Sequence, residues 1–166
     1  MLKLSQIAKS LVGWLPVVAV IRGPSICEPQ CHGHRQGARR AGRHTVSGES
    51  FAGLQSLPKP AIVYFWASWC GICKAMQSTV LSLAGDTPMI TVAMQSGDVV
   101  TVRDYMIGRP FHVPTLVDAD GSVARTYGVR GVPATFVLDR EGSIRFATTG
   151  YTSELGLRLR LWWASR

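Results

Sequence analysis

The chain has 166 residues, enough for one domain and an extension at roughly 150 residues per domain. Apolar residues make up 46% and charged ones only 17%, which excludes wholesale disorder. The net charge is +8, but residues 1–49 carry seven Lys/Arg against two Asp/Glu, while residues 50–166 carry eleven against eight. The excess therefore lies outside the regularly patterned part of the chain. No run of interleaved basic and aromatic residues follows, which argues against a nucleic-acid partner.

Residues 1–21 place Lys3 and Lys9 ahead of an uncharged stretch from Ser10 to Ile21, the layout of a secretory signal or an N-terminal membrane anchor. As a helix, those twelve residues would span about 18 Å, short of the ~30 Å hydrocarbon core, and Pro16 would kink them. The expectation is an exported protein, in the bacterial periplasm or on the extracytoplasmic face, held at the inner membrane by this segment. An amphipathic or buried N-terminal helix is the alternative.

Residues 22–45 then read as a basic linker, rich in Arg and poor in large apolar side chains. Within it, Cys27, Cys31, His32 and His34 have the ligand chemistry for zinc or copper, but no second cluster accompanies them, so an incidental pair is the preferred reading. Three residues separate these cysteines, one more than a haem-attachment motif has. The abrupt change of composition is also what a reading-frame discontinuity would give.

From residue 46 the pattern becomes regular. Ala61 to Ala67 is a continuous apolar run with β-branched and aromatic residues, bounded upstream by Pro58 and Pro60, and predicts a strand buried on both faces. It leads into Ser68-Trp69-Cys70-Gly71-Ile72-Cys73-Lys74, after which Ile72, Met76, Val80 and Leu83 predict one apolar helix face ending near Gly85. Two cysteines three positions apart at a helix start can cycle between dithiol and disulfide. Cys70 is expected exposed at the helix N-terminus, where unpaired N–H groups and the helix dipole favour a thiolate, with Lys74 adding a small favourable field. Cys73 is expected deeper, as the resolving thiol. The same spacing occurs in half a zinc site, but His112 is the sole downstream ligand candidate, so redox chemistry is preferred.

The remainder alternates strands and helices. Strands are predicted at Met89–Met94, Thr115–Asp118, Ala134–Leu138 and Ser143–Ala147, the last two joined as a hairpin through Asp139–Gly142. Helices are predicted from Asp98 to Gly108, from the Asp120-Gly121 turn to Tyr127, and from a Thr152 or Ser153 cap to Ala164. Strict alternation over Leu155–Leu161 would suit a strand. Leu155, Leu159 and Trp162 share a helix face, and helix is preferred.

These residues resemble the thioredoxin superfamily. The segment from Phe65 to Met76, FWASWCGICKAM, is similar to that family's active-site strand, turn and helix, and Gly131-Val132-Pro133 to the loop with its cis-proline. The spacing and the stretch Pro114–Gly121 resemble the membrane-tethered, exported TlpA-like branch. The C-terminal segment resembles the suppressor-of-copper-sensitivity D type of protein disulfide oxidoreductase. The resemblance implies an α/β thioredoxin-like fold, a central mixed sheet flanked by helices, spanning about residues 46–166. It implies exchange of disulfides with protein substrates by Cys70 and Cys73, with no metal or organic cofactor and with electrons from a membrane-embedded redox partner. Val132 and Pro133 would pair with the substrate backbone, and Trp69 would flank the cysteines. Two departures stand out. Tyr64 occupies the place of the family's buried Asp, which accepts the proton of the resolving thiol, so water or another group must take that role. Gly71 and Ile72 between the cysteines supply no charge, and Ile72 would make the surroundings of Cys70 drier, which points to a reductant-like couple. A copper-handling protein of the same fold is the alternative.

Overall fold

The computed structural model describes residues 44–166, so the N-terminal segment, the basic linker up to Arg43 and the Cys27/Cys31/His32/His34 cluster lie outside it. Five strands form one sheet: β1 (Ala61–Trp66), β2 (Met89–Met94), β3 (Thr115–Asp118), β4 (Ala134–Leu138) and β5 (Ile144–Thr149). Their order is β3-β2-β1-β4-β5. β1, β2 and β3 run parallel, whereas β4 is antiparallel to both β1 and β5. The helices are α1 (Gly71–Ala75), α2 (Gln77–Ala84), α3 (Val99–Ile107), α4 (Ser122–Thr126) and α5 (Glu154–Ala164). This is the mixed, helix-flanked sheet that the sequence implies.

β1 is central and buried at all six positions, which explains its unbroken apolar composition. Its alternating side chains feed two apolar layers. Ile62, Tyr64 and Trp66 face a layer that includes Cys70, Cys73, Met76, Val80 and Leu83, with Val102 of α3 and Leu157, Leu161 and Ala164 of α5. Ala61, Val63 and Phe65 face the other, with Val123 and Ala124 of α4, Tyr127 and Phe136. There the rings of Phe65, Tyr127 and Phe136 form a triangle with centroids 5.2, 5.7 and 5.5 Å apart. Burying each such side chain contributes about 1.5–3 kcal/mol.

Caps and turns end the elements where the sequence suggests. Asp98 caps α3 by accepting the Thr101 N–H at 2.8 Å, and Ser153 caps α5 through the Gly156 N–H. Gly121, before α4, has φ +72°, a left-handed conformation that favours glycine. A β-carbon there would also crowd Gln95 and Arg125 at 3.3 Å.

Three expectations are corrected. The helix after Cys70 is interrupted at Met76, and its inward face is Cys73, Met76, Val80 and Leu83, while Ile72 is 51% exposed. Cys73 takes the inward position of the first turn, and Ile72, one residue earlier, is rotated about 100° away from it. On α5 the buried face is Leu157, Leu161 and Ala164, whereas Leu155, Leu159 and Trp162 are exposed. The third correction concerns the cysteines: Cys70 and Cys73 are equally buried, at 6% exposure each.

Candidate active site

β1 ends at Trp66, and the chain turns through Ala67–Trp69, with the Cys70 N–H bonded to the Ala67 carbonyl at 3.1 Å. Cys70 is the cap residue of α1, in extended conformation, so its Sγ faces the first free N–H groups of the helix. It accepts the Cys73 N–H at 3.1 Å, and the Cys70 carbonyl accepts from the Lys74 N–H at 3.3 Å. The two cysteines form a disulfide, with Cα atoms 5.3 Å apart and an S–S distance of 2.23 Å. Equal burial does not distinguish them, but their surroundings do. Cys70 Sγ lies 3.6 Å from the Val132 carbonyl oxygen, whereas Cys73 belongs to the lining of a small, partly open cavity.

The antiparallel pairing of Phe65 with Ala134 brings Val132 and Pro133 to the cysteines, because it sets the start of β4 beside the end of β1. The Val132–Pro133 peptide is cis, as is Lys59–Pro60. Pro133 is buried and its carbonyl accepts the Gly150 N–H at 2.8 Å, which ties the loop to the end of β5. Val132 is half-buried. Trp69 is 61% exposed beside the cysteines, and its Nε1 donates to the Gln95 carbonyl at 3.1 Å. Thus Trp69, Cys70, Cys73, Val132 and Pro133 gather at one end of the sheet. Lys74 is exposed on α1.

Below the disulfide lies a cavity lined by Tyr64, Trp66, Cys73, Gln77, Tyr105 and Phe111. Trp66 stacks on Tyr105 and meets Phe111 edge-on, with centroids 5.4 and 5.3 Å away, and its Nε1 donates to Thr91 Oγ1 at 3.1 Å. The Thr91 hydroxyl in turn bonds Thr115 Oγ1 at 2.7 Å, so a buried polar chain crosses β1, β2 and β3. The Tyr64 hydroxyl is buried with no hydrogen-bond partner among the described residues. Burial, reinforced by neighbouring Tyr105, pushes its ionisation far upward. Gln77, Gln95, Tyr105 and Phe111 do not stand out in the sequence as site residues. The one hint is the turn cluster Gln95-Ser96-Gly97 after β2, where Gln95 adopts φ +47°.

Among the described residues, no three His, Cys, Asp or Glu side chains gather as a metal-ligand group, and no helix is long and apolar enough to cross a membrane.

The family model for a thioredoxin-like domain matches residues 49–158. A thioredoxin-like protein of Haemophilus influenzae is 36% identical over 122 residues, covering 72% of each chain. A thiol:disulfide interchange protein DsbE homolog of Paracoccus denitrificans is 32% identical over 110 residues, covering 64% of this chain and 61% of the relative. The chain thus spans about three fifths of that relative's length. The solved structure of dsbF from MTB, in mixed oxidised and reduced forms, superposes with a TM-score of 0.68 at 27% identity. It covers 78% of this chain and 97% of that one.

Proposed function

The chain belongs to the thioredoxin-like domain family, and from that membership we propose that it is an exported thiol–disulfide oxidoreductase acting on proteins. The observation that carries this reading is the Cys70–Cys73 pair at a helix start, with Cys70 Sγ 3.6 Å from the Val132 carbonyl. In the reducing direction, the Cys70 thiolate attacks a substrate disulfide and forms a mixed disulfide. Cys73 then attacks Cys70 Sγ, closes the intramolecular disulfide and releases the substrate thiol. The Cys73 N–H donates to Cys70 Sγ and stabilises negative charge there, which supports Cys70 as the attacking sulfur. In this reading Val132 and Pro133, just before β4, receive an extended substrate segment, and exposed Trp69 offers it an apolar wall. The exchange module is residues 46–166, behind an N-terminal segment that exports the protein and holds it at the membrane.

We assign the pair a reductant-like poise, fed by a membrane-embedded electron donor. The support is chemical: neither Gly71 nor Ile72 brings charge or a side-chain donor to Cys70. The exposure of Ile72 removes it as a drying influence, so the helix start is the main stabiliser of the thiolate. The couple is accordingly placed nearer about −270 mV than about −120 mV.

Substitution and redox equilibrium test this together. Cys70→Ser abolishes reduction of a protein disulfide such as insulin, whereas Cys73→Ser retains attack and accumulates mixed disulfides, seen by mass spectrometry. Equilibration with glutathione buffers gives the potential. Alkylation of Cys73 ahead of Cys70 in the reduced protein would overturn the roles, and a couple near the oxidising end would reverse the direction.

A further inference from the structure

The resolving step needs somewhere for the Cys73 proton to go, and the family's carboxylate is replaced here by Tyr64. Tyr64 is only 2% exposed, and it and Cys73 line the same cavity. A buried hydroxyl without a partner is costly, so its retention calls for a polar occupant. The second buried side-chain atom without a partner among the described residues is Thr135 Oγ1. Thr135 is the direct cross-strand partner of Tyr64 in the antiparallel β1–β4 pair, so the two side chains stand on the same face of the sheet. Both orphan hydroxyls thus belong to residues on the sheet face that holds Cys73, and of the two only Tyr64 lines the cavity. The cavity measures about 10 Å³, close to the minimum that admits one water. Gln77, another of its lining residues, is half-buried.

We propose that Tyr64 is a positioning residue for Cys73: its hydroxyl holds a water in this cavity, and that water carries the proton between the Cys73 sulfur and bulk solvent. The proposal rests on Cys73 being the resolving thiol. In the step concerned, the Cys73 S–H gives its proton to the water, which passes one to solvent past Gln77. The thiolate bonds to Cys70 Sγ and the Cys70–substrate S–S bond breaks. The substrate sulfur leaves with the electron pair and takes up a proton from solvent. The cysteine pair is oxidised and the substrate disulfide reduced, with no other reactant. Tyr64 stays neutral throughout, because burial disfavours its anion, so it donates to the water and steadies the thiolate. The titratable groups lining the cavity with Cys73 are Tyr64 from β1 and Tyr105 from α3, with Arg109 stacked on Tyr105 at 4.7 Å. Lys74 is exposed on the cysteine helix, and among the described residues no carboxylate or histidine lines the cavity.

Rapid mixing of the reduced full-length protein, with Cys27 and Cys31 replaced by serine so that only the active pair reacts, with Ellman's reagent separates the steps, since each releases one coloured thiolate: attack by Cys70, then resolution by Cys73. In Tyr64→Phe, which keeps the ring, the second phase at neutral pH slows by about tenfold and its pH midpoint rises by about one unit, while the first phase stays within about twofold. An unchanged or lowered midpoint in the second phase, or equal slowing of both phases, overturns the proposal. A crystal structure of the wild-type reduced protein supplies an independent readout. It shows an ordered water within hydrogen-bond distance of both Tyr64 Oη and Cys73 Sγ, and a dry cavity refutes the role. Cys73→Ser separates the two levels of the argument. If its second phase persists, the assignment of the resolving thiol is at fault rather than Tyr64.

Discussion

Asp118 is a carboxylate with a structural task, and it shows how one residue can fix an element. It is 2% exposed at the end of β3, and its two oxygens accept the N–H groups of Val123 and Ala124 at 3.0 and 2.8 Å. These are orphan donors of the first turn of α4, a helix of only five residues whose cap is a glycine without a side chain. Asp118→Ala strands both donors in a buried setting, and a loss of about 2–4 kcal/mol is expected in chemical denaturation. Asp118→Asn keeps one acceptor and falls between the two. Tyr64 is the opposite case. Its departure from the family pattern is legible in the sequence, because a phenol stands where a carboxylate is usual. Its consequence is not legible, since the cavity arises where Tyr105 and Phe111, from distant segments, close against Tyr64 and Trp66 of β1.

At the level of elements, the strands were the more readable half of the chain. Continuous apolar runs bounded by proline or turn residues left little choice for β1, β2 and β4. The helical faces were harder. On α5, Leu155-Leu159-Trp162 and Leu157-Leu161-Ala164 follow the same spacing, offset by two residues, so they lie on opposite sides of one helix. Periodicity cannot choose between two equivalent faces. Tertiary anchors choose instead: Arg158 donates to Asp86 at 2.7 Å and to Glu154 at 2.9 Å, and Glu154 accepts from Ser82 of α2 at 2.8 Å. This seats Leu157 and Leu161 against the layer that holds Cys73. The assignment makes a sharp prediction for denaturant midpoints. Leu157→Ala costs about 2–5 kcal/mol by opening a cavity, whereas Leu159→Ala stays within about 0.5 kcal/mol. Equal effects would mean that the helix is rotated from the orientation described.

Across the whole molecule, the bond from Arg158 to Asp86 ties the C-terminal helix to the chain just past α2, 72 residues earlier. The guanidinium's hydrogen bonds, helped by the hydroxyls of Thr87 and Ser82, hold the carboxyls of Asp86 and Glu154 below their usual range. Because the folded values are depressed, the stabilisation is present above the ordinary carboxylate range and is lost as pH falls through the folded values. These groups are exposed, so the effect is modest and screened by salt. Arg158→Met is expected to denature slightly earlier than wild type near about pH 6, with the gap closing toward about pH 3. A gap independent of pH would assign the role of Arg158 to packing of its aliphatic stem. The sheet has a consequence of another kind. Cys70 and Val132 are 62 residues apart, yet a rung between β1 and β4 sets their approach. The connection Gly85–Pro88 enters β2 at the end of the sheet remote from the cysteines, since β2 runs parallel to β1. An inserted module at that turn would therefore travel with the protein and leave the reacting sulfur where it stands, provided that the insertion spares Asp86, the anchor of Arg158.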